Sequence, residues 1–156
     1  MSNYQFLFLI SIFFYSCTKT NISTPICIIG DIYISEAHTS GYPEDYIEIF
    51  NSTDKDCRLS NFLLDDSPLF EDFLFSDIII KANDFWIGYE DFDNSFSSGL
   101  SSKGDMIYFS DGDTIIQYNL GPSISDFSQS FDKSGDRCYT IPTPGYSNAG
   151  CVNLSL

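Results

Sequence analysis

Cysteine is the residue type best suited to covalent chemistry in this 156-residue chain, which contains five of them. Cys17 follows an apolar run at residues 6–15 and a single serine, and the other four cysteines lie beyond it. An odd total is explained if one cysteine has a different fate from the rest. We therefore expect Cys17 to be modified and the other four to form two disulfides in an oxidising compartment.

The four remaining cysteines allow three disulfide pairings. Cys27 and Cys151 bracket the predicted domain, so we favour a bridge between them, with Cys57 and Cys138 forming the second bridge. Closing loops of this length contributes about 4 kcal/mol per bridge in the chain-entropy description. Four free, buried thiols are the alternative.

The segment before Cys17 predicts an export signal. Its apolar run is too short for a membrane span, which needs about 20 residues, and fits the centre of a secretory signal peptide. Ser16 directly before Cys17 resembles a bacterial lipobox, which implies removal of residues 1–16 and lipidation of Cys17. Residues 17–26 would then be the lipidated cysteine and a tether, and Thr18 favours the outer membrane. An ordinary secretion signal with a stray cysteine is the alternative.

The sequence indicates no catalytic or metal-binding role for histidine. His38 is the only histidine, and it follows the first predicted strand in a loop. No serine has a Gly-x-Ser-x-Gly context and no Cys-x-x-Cys spacing occurs, so neither a hydrolase triad nor a zinc site is indicated. We expect His38 to be solvent-exposed and idle.

Closely spaced acidic residues in predicted turns are the candidate metal ligands. They are Asp54 with Asp56, Asp91 with Asp93 and Asn94, and Asp111 with Asp113. Calcium takes oxygen ligands from such loops, but none of these segments completes an EF-hand. Asp and Asn are also ordinary turn residues, which is the reading we favour. No cofactor is therefore predicted, and a structural calcium ion is the alternative.

Short alternating segments predict an all-β fold. Apolar and polar residues alternate with a period near two, which is typical of half-buried strands, and no helical stripe is present. The segment at 73–80 fits one strand or two strands broken near Ser76. Many short strands separated by turns indicate a β-sandwich. The predicted strands are 27–34, 46–50, 57–64, 73–80, 85–89, 106–110, 114–118 and 137–141.

Glu48 is a charged residue inside the second predicted strand. Ile47 and Ile49 would face one side of that strand, with Tyr46, Glu48 and Phe50 on the other side. If both sides are covered, the carboxylate of Glu48 needs a partner. We expect a structural ion pair, in which the cation is Arg58 or Arg137.

Six segments in order resemble the lamin-tail domain, an immunoglobulin-like β-sandwich. They are Ile34-Ser35-Glu36, the segment 45–51, the segment 58–66, the segment 99–109 with its turn at 111–113, Asp136-Arg137, and Thr143-Pro144-Gly145-Tyr146-Ser147-Asn148. The resemblance implies a sandwich domain over residues 27–152, followed by a tail at 153–156. Such domains often accompany secreted bacterial hydrolases and are regarded as binding or attachment modules, but fold does not fix function.

The net charge and the aromatic residues limit the classes of molecule that this chain is expected to bind. The chain carries 22 acidic and 7 basic residues, for a net charge of −15, which repels phosphate backbones and disfavours nucleic acid. Aromatic residues in predicted loops fit a glycan or an envelope protein, unless they pack under the loops. These residues are Tyr42, Phe92, Phe96, Phe127 and Phe131.

We therefore expect a non-catalytic binding or scaffold module, anchored by lipid in the bacterial cell envelope. A metal-dependent hydrolase, an accessory subunit of a secreted hydrolase and a structural subunit of a larger complex are the alternatives.

Overall fold

The computed structural model describes residues 23–153. The predicted signal peptide, Cys17 and most of the tether lie outside these residues. Every regular element in the described part is a β-strand, which confirms the all-β prediction. The strands are β1 (Ile32–His38), β2 (Tyr46–Asn51), β3 (Cys57–Leu59), β4 (Leu63–Asp65), β5 (Phe73–Leu74), β6 (Ile78–Ile80), β7 (Phe85–Tyr89), β8 (Asp105–Ser110), β9 (Ile115–Leu120), β10 (Ser128–Phe131) and β11 (Arg137–Thr140).

These strands form a sandwich-like arrangement of antiparallel sheets. The larger sheet has the order β11-β10-β1-β2-β7, and the second has the order β5-β4-β8-β9. A short pair, β3-β6, makes a third sheet. Between residues 23 and 153, no helix is long and apolar enough to cross a membrane.

One apolar core joins the two large sheets. Ile34 and Ile49 come from the five-stranded sheet, whereas Leu64 and Phe109 come from the four-stranded sheet, and all four are buried. The hydroxyl of Tyr118 also accepts a hydrogen bond from the Ile34 amide at 3.2 Å. Burying each such apolar side chain contributes about 1.5–3 kcal/mol, so this core is the main source of stability.

A β-bulge in β1 decides which side chains face the core. Ile34 pairs with Ile49, but the next partner of Glu48 is Glu36, so Ser35 is the extra residue. Strict alternation would place Glu36 on the same side as Ile34. The extra residue instead turns Glu36 to the outer face and returns Ala37 to the core.

Left-handed residues shorten several predicted strands. Asn61 has a φ of 63° and divides the predicted strand 57–64 into β3 and β4. Asp77 has a φ of 55° and separates β5 from β6, as the alternative of two strands predicted. Strand β10 was not predicted, because its Ser-Gln-Ser-Phe sequence carries no apolar alternation. It is buried because it lies between β1 and β11.

The two disulfides join the predicted cysteines in a different pairing. Cys27 bonds to Cys57 and Cys138 bonds to Cys151, so the expected Cys27–Cys151 and Cys57–Cys138 bridges are wrong. The reason is local strand pairing. The amide of Cys27 donates to the carbonyl of Arg58 at 3.0 Å, which brings the start of the domain beside β3. At the other end, the amide of Val152 donates to Tyr139 in β11 at 2.9 Å.

Candidate functional site

The outer face of the five-stranded sheet, which points away from the core, contains a cluster of buried polar residues. Residues 141–149 cross this face, and we call them the C-terminal strap. The strap reaches two glutamates on neighbouring strands, Glu36 in β1 and Glu48 in β2, which are register partners. Both glutamates have no exposed surface. The strap therefore seals a pair of carboxylates against the sheet.

Glu36 holds the first part of the strap. Its carboxylate accepts hydrogen bonds from the Thr143 amide at 3.1 Å and from the Thr143 hydroxyl at 3.0 Å. It also accepts from the Ser128 hydroxyl of β10. These three donors compensate part of the cost of burying the carboxyl group.

Glu48 holds the turn of the strap. Its carboxylate accepts from the Gly145 amide at 2.7 Å and from the Ser35 hydroxyl at 2.6 Å. Gly145 has a φ of +81°, a conformation that glycine adopts without strain. Burial raises the pKa of Glu48 to about 7, and the bonds from Ser35 and Gly145 oppose that rise. Nearby Glu36 adds to the rise.

The expected ion pair with Glu48 is wrong. Arg58 lies 3.4 Å from the carboxylate of Asp77, and Arg137 donates to the side chain of Gln129. Hydroxyl and amide donors replace the predicted cation, because β1 and the strap are closer to Glu48 than either arginine-bearing strand is. Near the far end of the strap, Asn148 donates to the carbonyl of Ser35 at 2.8 Å.

His38 is not the exposed loop residue that the sequence predicted. It ends β1, has no exposed surface, and stacks on Tyr46 with ring centroids 5.7 Å apart. Its Nδ1 lies 3.8 Å from the carboxylate of Asp45. Burial lowers the pKa of His38, although Asp45 acts in the opposite direction. Strand β1 begins and ends later than the predicted strand 27–34, and it reaches His38 because Tyr46 pairs with that residue.

The candidate metal ligands occupy turns. Asp111 accepts hydrogen bonds from the Asp113 amide at 3.1 Å and the Thr114 amide at 2.7 Å, which closes the β8–β9 hairpin. Asp91 has a φ of 60° in the turn after β7, and Asp93 is exposed in the same turn. In the described part of the chain, no three His, Cys, Asp or Glu side chains are grouped to hold a metal ion. Asp111 thus acts as a turn residue.

The predicted loop aromatics differ in their exposure to solvent. Tyr42 and Phe92 are exposed, at 83% and 59%. Phe96 and Phe131 are buried in the core, so the alternative of packed rings holds for these two. Phe131 belongs to the unpredicted strand β10 and packs on Tyr118, with ring centroids 5.2 Å apart. Phe127 is half-buried.

Three other aromatic residues lie on the outer face beside the strap, and the sequence analysis did not identify them as a binding surface. Tyr33, Phe50 and Phe85 are register partners across β1, β2 and β7. Together with Ser147 and Asn148 of the strap they line a cavity of about 180 Å³, which we call the aromatic groove. Alternation places Phe50 on the same side of β2 as Glu48, and this signal could have identified the groove.

Comparison with known proteins gives no further guide to this site. No protein-family model matches the chain, and neither does any curated protein or any solved structure.

Proposed function

We propose that this chain is a lipid-anchored lipoprotein of the bacterial outer membrane, whose domain is a non-catalytic binding or scaffold module of the immunoglobulin-like, lamin-tail type. One observation carries the proposal. Segments that resemble the lamin-tail domain but lie more than 90 residues apart, at Glu36 with Glu48 and at Thr143 with Gly145, meet in one hydrogen-bonded cluster. In this cluster the two glutamates are the acceptors, and the threonine and the glycine supply the donors.

The state of the two glutamates supports binding over turnover. A general acid or base must come within hydrogen-bond reach of a reacting group. Glu36 and Glu48 are fully buried and hold main-chain amides of the strap. This pair of buried carboxyl groups is thus engaged in holding the strap against the sheet.

The disulfides support the envelope location. Bonded cysteines persist in oxidising compartments, such as the periplasm and the cell surface. Both bridges have Cα–Cα separations, 4.8 Å for Cys27–Cys57 and 5.6 Å for Cys138–Cys151, that suit a disulfide. A chain exported through a signal peptide would meet such conditions.

Intact mass of the protein extracted from its native membrane tests the anchor. We expect a chain that begins at Cys17, carries acyl groups, and gains two hydrogens for each of its two disulfides on reduction. The matched variant Cys17→Ser should lose the acyl mass and keep both disulfides. A mature chain without lipid, or one with four free thiols, would contradict the location.

Turnover assays test the absence of catalysis. The same preparation is incubated with phosphomonoester, phosphodiester and peptide substrates, with and without added calcium or magnesium. We expect no sustained turnover. Turnover that depends on the added metal would replace the binding function with the alternative of a metal-dependent hydrolase.

A further inference from the structure

Three aromatic rings form a continuous row across the outer face. The ring centroids of Tyr33 and Phe50 are 5.8 Å apart with planes at 86°, and those of Phe50 and Phe85 are 4.7 Å apart with planes at 30°. All three side chains are half-buried, so each keeps part of its surface open. The row crosses three neighbouring strands and lies on the side opposite the core residues Ile34 and Ile49.

Polar groups surround this row of rings. Ser147 and Asn148 of the strap line the aromatic groove. On the other side of Tyr33, a cavity of about 390 Å³ is lined by Asp132, Arg137 and again Asn148. Binding sites of this kind combine apolar walls with a few polar groups that fix the orientation of the ligand. A sugar ring has matching parts, because its C–H face is apolar and its edge carries hydroxyls.

The negative charge of the protein favours neutral saccharides over anionic ones. The chain has a net charge of −15, and Asp132 is exposed beside the groove. Arg137, which lines the cavity beside the groove, donates to Gln129 and lies 5.4 Å from the ring centre of Tyr139, and Lys133 donates to Ser52, so both cations already have partners within the protein. A uronate or sulfated glycan would be repelled. A neutral saccharide would not be.

Position within the sheet separates a saccharide from a peptide. An extended peptide usually adds to an open sheet edge, where unpaired main-chain groups provide the hydrogen bonds. The rings of Tyr33 and Phe50 lie on the face of the paired strands β1 and β2, and only Phe85 comes from the end strand β7. Most of the groove therefore offers side chains instead of a main-chain edge. Stacking and side-chain hydrogen bonds suit a carbohydrate ring.

We propose that the aromatic groove, extended past Tyr33 towards Asp132 and Arg137, binds a neutral oligosaccharide. This inference rests on the proposed binding function and names its ligand class and its site. Phe50 and Phe85 provide the stacking surface, and Ser147 with Asn148 contacts the hydroxyls.

Calorimetric titration of the full chain with cellotetraose and chitotetraose, both neutral, tests the proposal. We expect at least one to bind with a Kd of about 0.1–1 mM, and anionic tetragalacturonate to bind about tenfold more weakly or not at all. Tyr33→Ala removes part of the row. Ser147→Trp fills the groove from an exposed position and keeps every ring, so it separates lost binding from lost folding.

Both groove variants should weaken binding at least about tenfold, which corresponds to about 1.4 kcal/mol. The matched control Tyr42→Ala removes an aromatic ring that is 83% exposed and lies outside the groove, and it should leave affinity unchanged. Failure of both neutral probes to bind at about 5 mM would overturn the inference. So would binding that neither groove variant weakens.

Two results separate this inference from the proposed function. If Tyr42→Ala abolishes saccharide binding while Ser147→Trp does not, the groove assignment fails and the binding function stands. If the probe is cleaved and new reducing ends accumulate, the non-catalytic function fails. In that case, loss of cleavage in Ser147→Trp would still place the saccharide in the groove.

Discussion

The two faces of the five-stranded sheet are built from alternate residues of the same strands, yet they are stabilised in different ways. The inner face places Ile34 and Ile49 against Phe109 of the opposite sheet. The outer face places Glu36 and Glu48 against main-chain amides of the strap. Apolar contact depends on area and has no preferred direction, whereas a buried polar group costs free energy unless it is hydrogen-bonded. The inner face should respond to lost volume and the outer face to pH and lost donors.

The largest effect is expected from the inner face. Phe109→Ala should lower the free energy of unfolding by about 4 kcal/mol, because it leaves a cavity between Phe62 and Phe75. Urea denaturation measures the change. The control Phe92→Ala, at a ring that is 59% exposed, should stay within about 0.5 kcal/mol. A small loss for Phe109 would mean that the core can collapse around the cavity.

The next largest effect is expected from removing the Cys138–Cys151 disulfide, whose two cysteines flank the strap. The double variant Cys138→Ala, Cys151→Ala opens a link between residues 13 apart and should cost about 3 kcal/mol. Amide exchange should rise in the strap while β2 remains protected. The matched pair Cys27→Ala, Cys57→Ala, with a separation of 30, should cost about 4 kcal/mol. If the strap stays protected without its disulfide, the two glutamates are sufficient to hold it.

The pH dependence of the outer face follows from Glu48. Its pKa is about 7 in the folded protein and near 4.5 when exposed, so the folded state keeps a proton that the unfolded state has released between these values. The free energy of unfolding should therefore fall by about 3 kcal/mol as pH rises from 4.5 to 7, and then level off. Thus Glu48 favours the folded state most on the acidic side.

Glu48→Gln isolates this contribution. The amide can still accept from Gly145 and donate to the Ser35 hydroxyl, so the variant should fold and lose that part of the pH dependence. The pKa of Asp66 is also raised, to about 6, mainly by burial, but it titrates in both proteins and cancels in their difference. Parallel stability curves for the two proteins between pH 4.5 and 7 would contradict the assignment.

The smallest effect concerns a single donor of the strap. Asn148→Ala removes the hydrogen bond to the Ser35 carbonyl at the bulge and should cost about 1 kcal/mol. Asn119→Ala, at an exposed position of β9, is the control and should change stability by less than about 0.5 kcal/mol. Equal losses in the two variants would show that the strap does not depend on this contact.

Local pattern predicted the elements whose alternation is regular. Ile47 and Ile49 identify β2, because their neighbours face the other side of the strand. The same pattern failed for β10, which is buried by the strands on either side and not by its own apolar residues. His38 was misplaced for a related reason, since its burial depends on Tyr46 in the next strand.

The candidate site is formed by long-range contacts, which the residue pattern of a single segment does not predict. Thr143 and Glu36 are 107 residues apart, and their contact requires the bulge that turns Glu36 outward. The predicted disulfide pairing was wrong because it joined the two cysteines at the ends of the domain. Strand pairing instead brings Cys27 beside Cys57. The aromatic groove requires the register of three strands, which no single segment specifies.

The attachment of the first described residues to β3 has a mechanical consequence. Cys27 is bonded to Cys57, and Ile26 forms a bridge with Arg58, so the chain is fastened before β1 begins. A force pulling on the N-terminal side would pass through the covalent link into β3 and β6. Strand β1, which holds the centre of the five-stranded sheet, would be shielded from peeling. A domain held on a tether could then resist drag without loosening the face that carries its groove.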